Sequence, residues 1–236
     1  EMVKDLYFKK QLVFENRFDL KKNVPLIEPI KDFIQVMPQS NTVPPADRTN
    51  SFLIGEKSKV LIDPAPRDFE ELSKFLETIK DYKIEKMFLT HHHRDHHNFA
   101  PYIAKKLMLS ISMSEFTFSR SLIVYGEDYF SGIEINIVKE GDILTSWLGK
   151  DVKIIEVPGH DEGQLALMPE SKEWFLAGDL FQGVGTVVVG GVEGNMTKYF
   201  QTLEKVIALK PNCVIPSHGI ALGGTYILEK TLEHRI

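Results

Sequence analysis

The chain holds one cysteine, Cys213, among 236 residues, so no disulfide can form within it. That cysteine sits beside Val214 and Ile215 and reads as a small buried strand residue, not a nucleophile. A reducing, cytoplasmic setting fits this usage. No apolar run approaches the roughly 20 residues that a membrane helix needs. The residues from Glu1 to Lys10 lack the basic-then-apolar order of a secretory signal. Positive charge is also short: 28 Lys and Arg stand against 33 Asp and Glu, for a formal net charge of −5. Such a balance gives no general attraction for nucleic acid. There is no G-x-S-x-G run and no Cys/His pairing to suggest a side-chain nucleophile. The glycines between 183 and 194 are not followed by Gly-Lys-Ser/Thr, so they make no phosphate loop. What remains is ordinary soluble material, 43% hydrophobic and 26% charged, ample for a large core. The expected partner is a small-molecule substrate, with no membrane and nucleic acid disfavoured.

Apolar stretches of strand length fall at 33–37, 51–54, 59–62 and 84–89, and again at 109–113, 133–138, 152–157, 165–169, 173–176, 186–189 and 213–215. Helical patterns fall at 68–80, 99–107, 115–120, 196–209 and 225–234. The first carries Phe69, Leu72, Phe75, Leu76 and Ile79 on one stripe. Strands interspersed with helices predict an α/β domain of layered sheets over 33–236. Residues 1–32 mix charged and apolar positions without a period and read as an N-terminal extension packed on that domain.

Histidine is concentrated where cysteine is missing. Five of the eight histidines lie between 91 and 97, in Thr90-His91-His92-His93-Arg94-Asp95-His96-His97. Read as H-x-H-x-D-H, the run gives three imidazoles and one carboxylate within six residues, a donor set that suits Zn, Fe or Mn. In extended backbone, residues two apart share a face. His91, His93 and Asp95 are therefore expected on one side, with His92 and Arg94 turned away, and His96 entering the helix that follows. His92 and His97 are expected to be outer-shell or exposed. A mid-chain position between a strand and a helix is not that of an expression tag.

Three further candidates follow apolar strands beside Gly or Pro: His160 in Pro158-Gly159-His160, Asp179 in Gly178-Asp179, and His218 in Ser217-His218-Gly219. Strand carboxyl ends are where α/β proteins place their sites, and a neighbouring glycine lets backbone approach closely. These motifs, in this order, resemble those of metallo-β-lactamase-fold hydrolases, and the likeness covers roughly 33–236. The stretch from Gly183-Val184-Gly185-Thr186 to Asn195-Met196-Thr197-Lys198-Tyr199 is closest to the glyoxalase-II-like, β-lactamase-like-2 branch. Only 18 residues follow His218 (236 − 218), which speaks against a glutathione thioester of the glyoxalase II kind.

The resemblance implies a four-layer αββα sandwich with a dinuclear site at one edge. His91, His93 and His160 would hold one divalent ion and Asp95, His96 and His218 the other, with Asp179 bridging and zinc ahead of iron or manganese. Asp63, after the strand Val60-Leu61-Ile62, would support the site without ligating. The implied chemistry is hydrolysis of an ester, thioester or lactone by a hydroxide shared between the ions, with Asp95 orienting it. The same fold leaves two alternatives: a mononuclear iron oxygenase acting on a thiol or persulfide through His91, His160 and Asp179, and an endoribonuclease. Tyr125, Tyr129 and Phe130 read equally as a cover over the substrate or as an ordinary turn.

Overall fold

The computed structural model describes residues 22–221 and 224–235. Two sheets lie face to face. The first has seven strands in sequential order: β1 (Leu26–Ile30), β2 (Phe33–Val36), β3 (Ser51–Ile54), β4 (Lys59–Ile62), β5 (Ile84–Phe88), β6 (Ser110–Met113) and β7 (Ile135–Ile137). Its first four strands are antiparallel neighbours, and β4 through β7 run parallel. The second sheet places β8 (Ile143–Trp147), β9 (Lys150–Glu156), β10 (Leu165–Pro169), β11 (Phe175–Leu176) and β12 (Val214–Ile215) in the order β12-β11-β10-β9-β8.

Strand alternation builds three apolar layers from these sheets. From β3 and β4, Phe52, Ile54, Val60 and Ile62 face inward to meet Val152, Ile154, Leu165, Leu167 and Trp174 of the second sheet. Leu53 and Leu61 face outward, toward Leu72, Phe75 and Ile79 of α1 (Phe69–Ile79). The outer face of the second sheet, with Ile155, Ala166 and Phe175, takes Tyr199, Leu203 and Val206 of α5 (Met196–Leu209). Near-continuous apolar strands thus mark sheets covered on both faces. Trp174 and Phe33 pack edge-to-face across the central layer at 4.9 Å, and each large buried side chain contributes about 1.5–3 kcal/mol. The remaining helices are α2 (Arg94–His97), α3 (Ala100–Leu107), α4 (Glu115–Tyr125) and α6 (Tyr226–Arg235). The result is the αββα sandwich.

Three local expectations change. Leu26–Ile30, assigned by sequence to the extension, pairs with β2 as an edge strand; the rest of that reading, through residue 21, lies outside the described residues. Ile143–Trp147 forms a strand that its mixed composition hid, with only Leu144 and Trp147 turned inward. The β-branched run 186–189 forms no strand. It pairs with neither sheet, and Val188 is 63% exposed. No described helix is long and apolar enough to cross a membrane.

Candidate metal centre

Topology explains why distant motifs meet. β9 and β11 are each antiparallel to β10, and β12 is parallel to β11. The carboxyl ends of β9, β11 and β12 therefore emerge at one end of their sheet. They deliver His160, Asp179 and His218 there, while parallel β4 and β5 deliver Asp63 and the histidine run from the other sheet. A hydrogen bond from Leu165 N to Thr90 O, 2.9 Å, joins the two sheets at this edge. Close approach needs glycine twice. Gly159 has φ +141°, and a Cβ there would lie 2.4 Å from Tyr199 Cα. Gly219 has φ +79°, and a Cβ would lie 2.6 Å from the carbonyl carbon of Gly183.

The seven candidate ligands converge as two sets joined by Asp179. His93 Nδ1 is 3.0 Å from His91 Nε2 and 3.0 Å from His160 Nε2. Asp95 Oδ2 is 3.9 Å from His96 Nε2 and 3.5 Å from His218 Nε2. Asp179 turns Oδ1 toward His96 Nε2 (3.4 Å) and His218 Nε2 (3.3 Å), and Oδ2 toward His160 Nε2 (3.7 Å). The extended-backbone reasoning holds for His91 and His93, which share the site, and for His92, which faces away. It fails for Arg94 and Asp95, which already belong to α2, and Arg94, expected to turn away, lines the pocket above the site.

The second nitrogen of each ring has its own partner, which fixes the tautomer. His96 Nδ1 donates to Asp63 Oδ2 at 2.9 Å. Thr90 Oγ1 donates to the same Asp63 oxygen at 2.6 Å, so it accepts from His91 Nδ1 at 3.0 Å. His160 Nδ1 donates to Val188 O (2.6 Å) and His218 Nδ1 to Arg48 O (2.9 Å). His93 Nε2 faces Glu193 Oε2 at 3.5 Å. In the first set, His91 and His160 therefore present lone pairs to a third nitrogen 3.0 Å away, which repel unless a proton or a cation lies among them. In the second, His96 Nε2, His218 Nε2 and Asp179 Oδ1 are buried without a hydrogen bond. Buried polar groups are rarely left so, and the donor types suit Zn, Fe or Mn. The residues present fit a metal centre.

The two sets differ in charge. Burial, then the neighbouring His96 and His93, hold His91 well below the ordinary imidazole range. Burial and His160 lower His93. Burial also works against charge on His96 and His218, but Asp179 prevails and raises both. Burial alone would push the Asp179 carboxyl up; His218 and His96 hold it well below the carboxylate range.

Above the ligands opens a pocket of about 800 Å³, walled by Val43, Pro44, Pro45 and Val188, with Asp95, Asp179, His93, His160 and Glu193 at its base and side. The loop read by sequence as strand 186–189 supplies this wall and spends the Val188 carbonyl on His160. Tyr125, Tyr129 and Phe130 do not line the pocket. Tyr125 donates to His92 O at 3.1 Å, Tyr129 bonds His97 Nδ1 at 2.8 Å, and Phe130 is core. His92 and His97 are both buried, His97 with its pKa lowered to about 4 by burial. Sequence reasoning missed Glu193 and Asp161. Glu193 lies in a glycine-rich loop, Gly190-Gly191-Val192-Glu193-Gly194, that resembles a bend, and only proximity in space reveals either residue.

A family model described as the metallo-beta-lactamase superfamily matches residues 44–218, and the chain belongs to that superfamily. It is 26% identical over 176 residues to a beta-lactamase-like protein 2 homolog of Drosophila melanogaster, covering 72% of this chain and 58% of that protein. It is 25% identical over 177 residues to an atrochrysone carboxyl ACP thioesterase of Aspergillus fumigatus, covering 74% of this chain and 51% of that protein. The chain thus spans little more than half the length of these curated relatives. The crystal structure of a beta-lactamase domain protein from Burkholderia ambifaria superposes with a TM-score of 0.76 at 16% identity, covering 89% of this chain and 76% of that one. At that identity the likeness shows the fold.

Proposed function

We propose that this metallo-beta-lactamase superfamily member is a metal-dependent hydrolase that cleaves an ester, thioester or lactone of a small molecule. His91, His93 and His160 would hold one divalent ion and Asp95, His96 and His218 a second, with Asp179 serving both. The observation that carries this reading is the divided carboxylate of Asp179, one oxygen 3.3–3.4 Å from the second set and the other 3.7 Å from the first. When bound there, divalent ions, zinc ahead of iron or manganese, would supply a water of lowered pKa, about 7, and Lewis-acid polarisation of the scissile carbonyl. Asp95, with its side chain 19% exposed at the pocket base, accepts a hydrogen bond from the attacking water and orients it. Asp63, through His96 and Thr90, keeps lone pairs aimed inward. The apolar wall of Val43, Pro44, Pro45 and Val188 seats an acyl or ring portion and excludes bulk water. A thioester fits this chemistry and accords with the name of the fungal relative.

The test is metal content by elemental analysis on protein purified without added metal, followed by a panel of esters, thioesters, lactones and single-stranded RNA. Two zinc ions per chain and turnover of an acyl substrate are expected. One iron per chain with oxygen uptake on a thiol would replace this reading with an oxygenase. RNA cleavage without acyl turnover would replace it with an endoribonuclease.

A further inference from the structure

We infer that Glu193 is a positioning residue that fixes His93 and thereby ties the first ligand set to the glycine-rich loop of the pocket wall. The inference rests on the two-ion reading above. An imidazole that ligates through Nδ1 has its Nε2–H to place, and a carboxylate acceptor there orients the ring and strengthens it as a donor. Glu193 Oε2 lies 3.5 Å from His93 Nε2, the side of the ring turned from the other ligands.

Glu193 is itself clamped. Arg120 on α4 donates to its Oε1 through both Nε and Nη2, which leaves Oε2 for the histidines. His92 fills the remaining gap, with Nε2 3.3 Å from Glu193 Oε2 and Nδ1 2.7 Å from Asp161 Oδ2, a close charge contact without hydrogen-bond alignment. Asp161 is fully buried, and its Oδ1 accepts from Gly163 N at 2.8 Å. The His92 carbonyl is held by His97 and Tyr125. Arg120, Glu193, His92 and Asp161 thus make a braced row behind one ligand, in a site where the motif residues alone would leave His93 free to tilt. His92, His93, Asp161 and Glu193 also offer one donor atom each within 4.8 Å of one another. A cation among them would face the Arg120 guanidinium already bound to Glu193, which favours the brace over a third ion.

The test is a zinc titration of the apoprotein against a chromophoric chelator, for the wild type, Glu193→Ala and Glu193→Gln. His160→Ala and His218→Ala mark which binding step belongs to which set. Glu193→Ala is expected to weaken the step that His160→Ala abolishes by about 10- to 100-fold and to leave the His218 step unchanged. Glu193→Gln, nearly isosteric and still an acceptor, should restore part of the loss. Coincident wild-type and Glu193→Ala curves, or equal weakening of both steps, would overturn the inference. So would a third zinc ion in the wild type that Glu193→Ala removes. A wild type that takes up a single ion refutes the two-ion reading instead, and the effect of Glu193 is then read on that one step.

Discussion

Four of the site's five histidines hang from two unlike supports, and the fifth, His218, donates to the Arg48 carbonyl. His91 and His96 depend on Asp63, a fully buried carboxylate at the end of β4 that accepts from Thr90 N (2.8 Å), Thr90 Oγ1 (2.6 Å) and His96 Nδ1 (2.9 Å). His93 and His160 lean on the loop that walls the pocket, through Glu193 and the Val188 carbonyl. Sheet support is built from groups the fold must pair anyway, because an unmade buried hydrogen bond is costly. Loop support is different: the segment that meets substrate also aims two ligands. Loops on a shared scaffold are where one fold diversifies its chemistry, and here such changes would reach the metal centre directly.

Removing the group shared by the two ligand sets should have the largest effect. Asp179→Ala is expected to lower metal content and hydrolysis together, by more than the roughly 100-fold that losing an outer partner causes. Elemental analysis beside a turnover assay checks this; an active variant that retains both ions would end the bridging role. Asp63→Asn separates the two supports. It keeps the size of the side chain but cannot accept all three hydrogen bonds, and each buried donor left unpaired costs about 1–3 kcal/mol. The apoprotein should lose that stability in urea unfolding, whereas Glu193→Gln, which keeps an acceptor for Arg120, should lose less. Equal losses in the two variants would erase the distinction between sheet and loop.

The candidate ligands and the sheet support behind them were legible in the sequence, and the loop support was not. The proposed ligands His91, His93, Asp95, His96, His160, Asp179 and His218 stand out because each lies in a motif that follows an apolar strand, and Asp63 does so for the same reason. The layers were legible because alternation at Phe52-Leu53-Ile54 and Val60-Leu61-Ile62 belongs to strands covered on both faces. Glu193 carries no such mark. Its meaning depends on where 190–194 folds back, which glycine leaves open. The run 186–189 likewise became pocket wall: β-branched residues favour a strand only where cross-strand and same-face neighbours receive them. His92 showed the limit of alternation, which gave its direction correctly but not the buried carboxylates it would meet.

Chelation should sharpen the contrast in dynamics. With metal removed, amide hydrogen exchange is expected to rise by at least about tenfold across 183–195, a segment without helix or strand, of the kind that opens most readily. The Thr90 amide, bonded to Asp63, should stay protected. Exchange mass spectrometry with and without a chelator reads both at once, and a uniform rise over the two segments would contradict separate supports.

The smallest expected effect lies beneath the sheet support. His97 Nε2 donates to the His92 carbonyl at 2.5 Å, so its Nδ1 accepts from the Tyr129 hydroxyl at 2.8 Å. Burial has lowered the His97 pKa to about 4, so the ring is neutral near pH 7 and this bond is an uncharged one. Tyr129→Phe keeps the ring against Phe130 (centroids 4.8 Å) and removes only the hydroxyl, at a cost of about 1 kcal/mol. Urea unfolding should show that loss while zinc titration shows none, since His97 supports α2 from outside both ligand sets. A shift in zinc affinity would mean that the sheet support transmits small displacements to its ligands, and that its rigidity, the basis of the contrast with the loop, is not inherent in the buried Asp63 anchor.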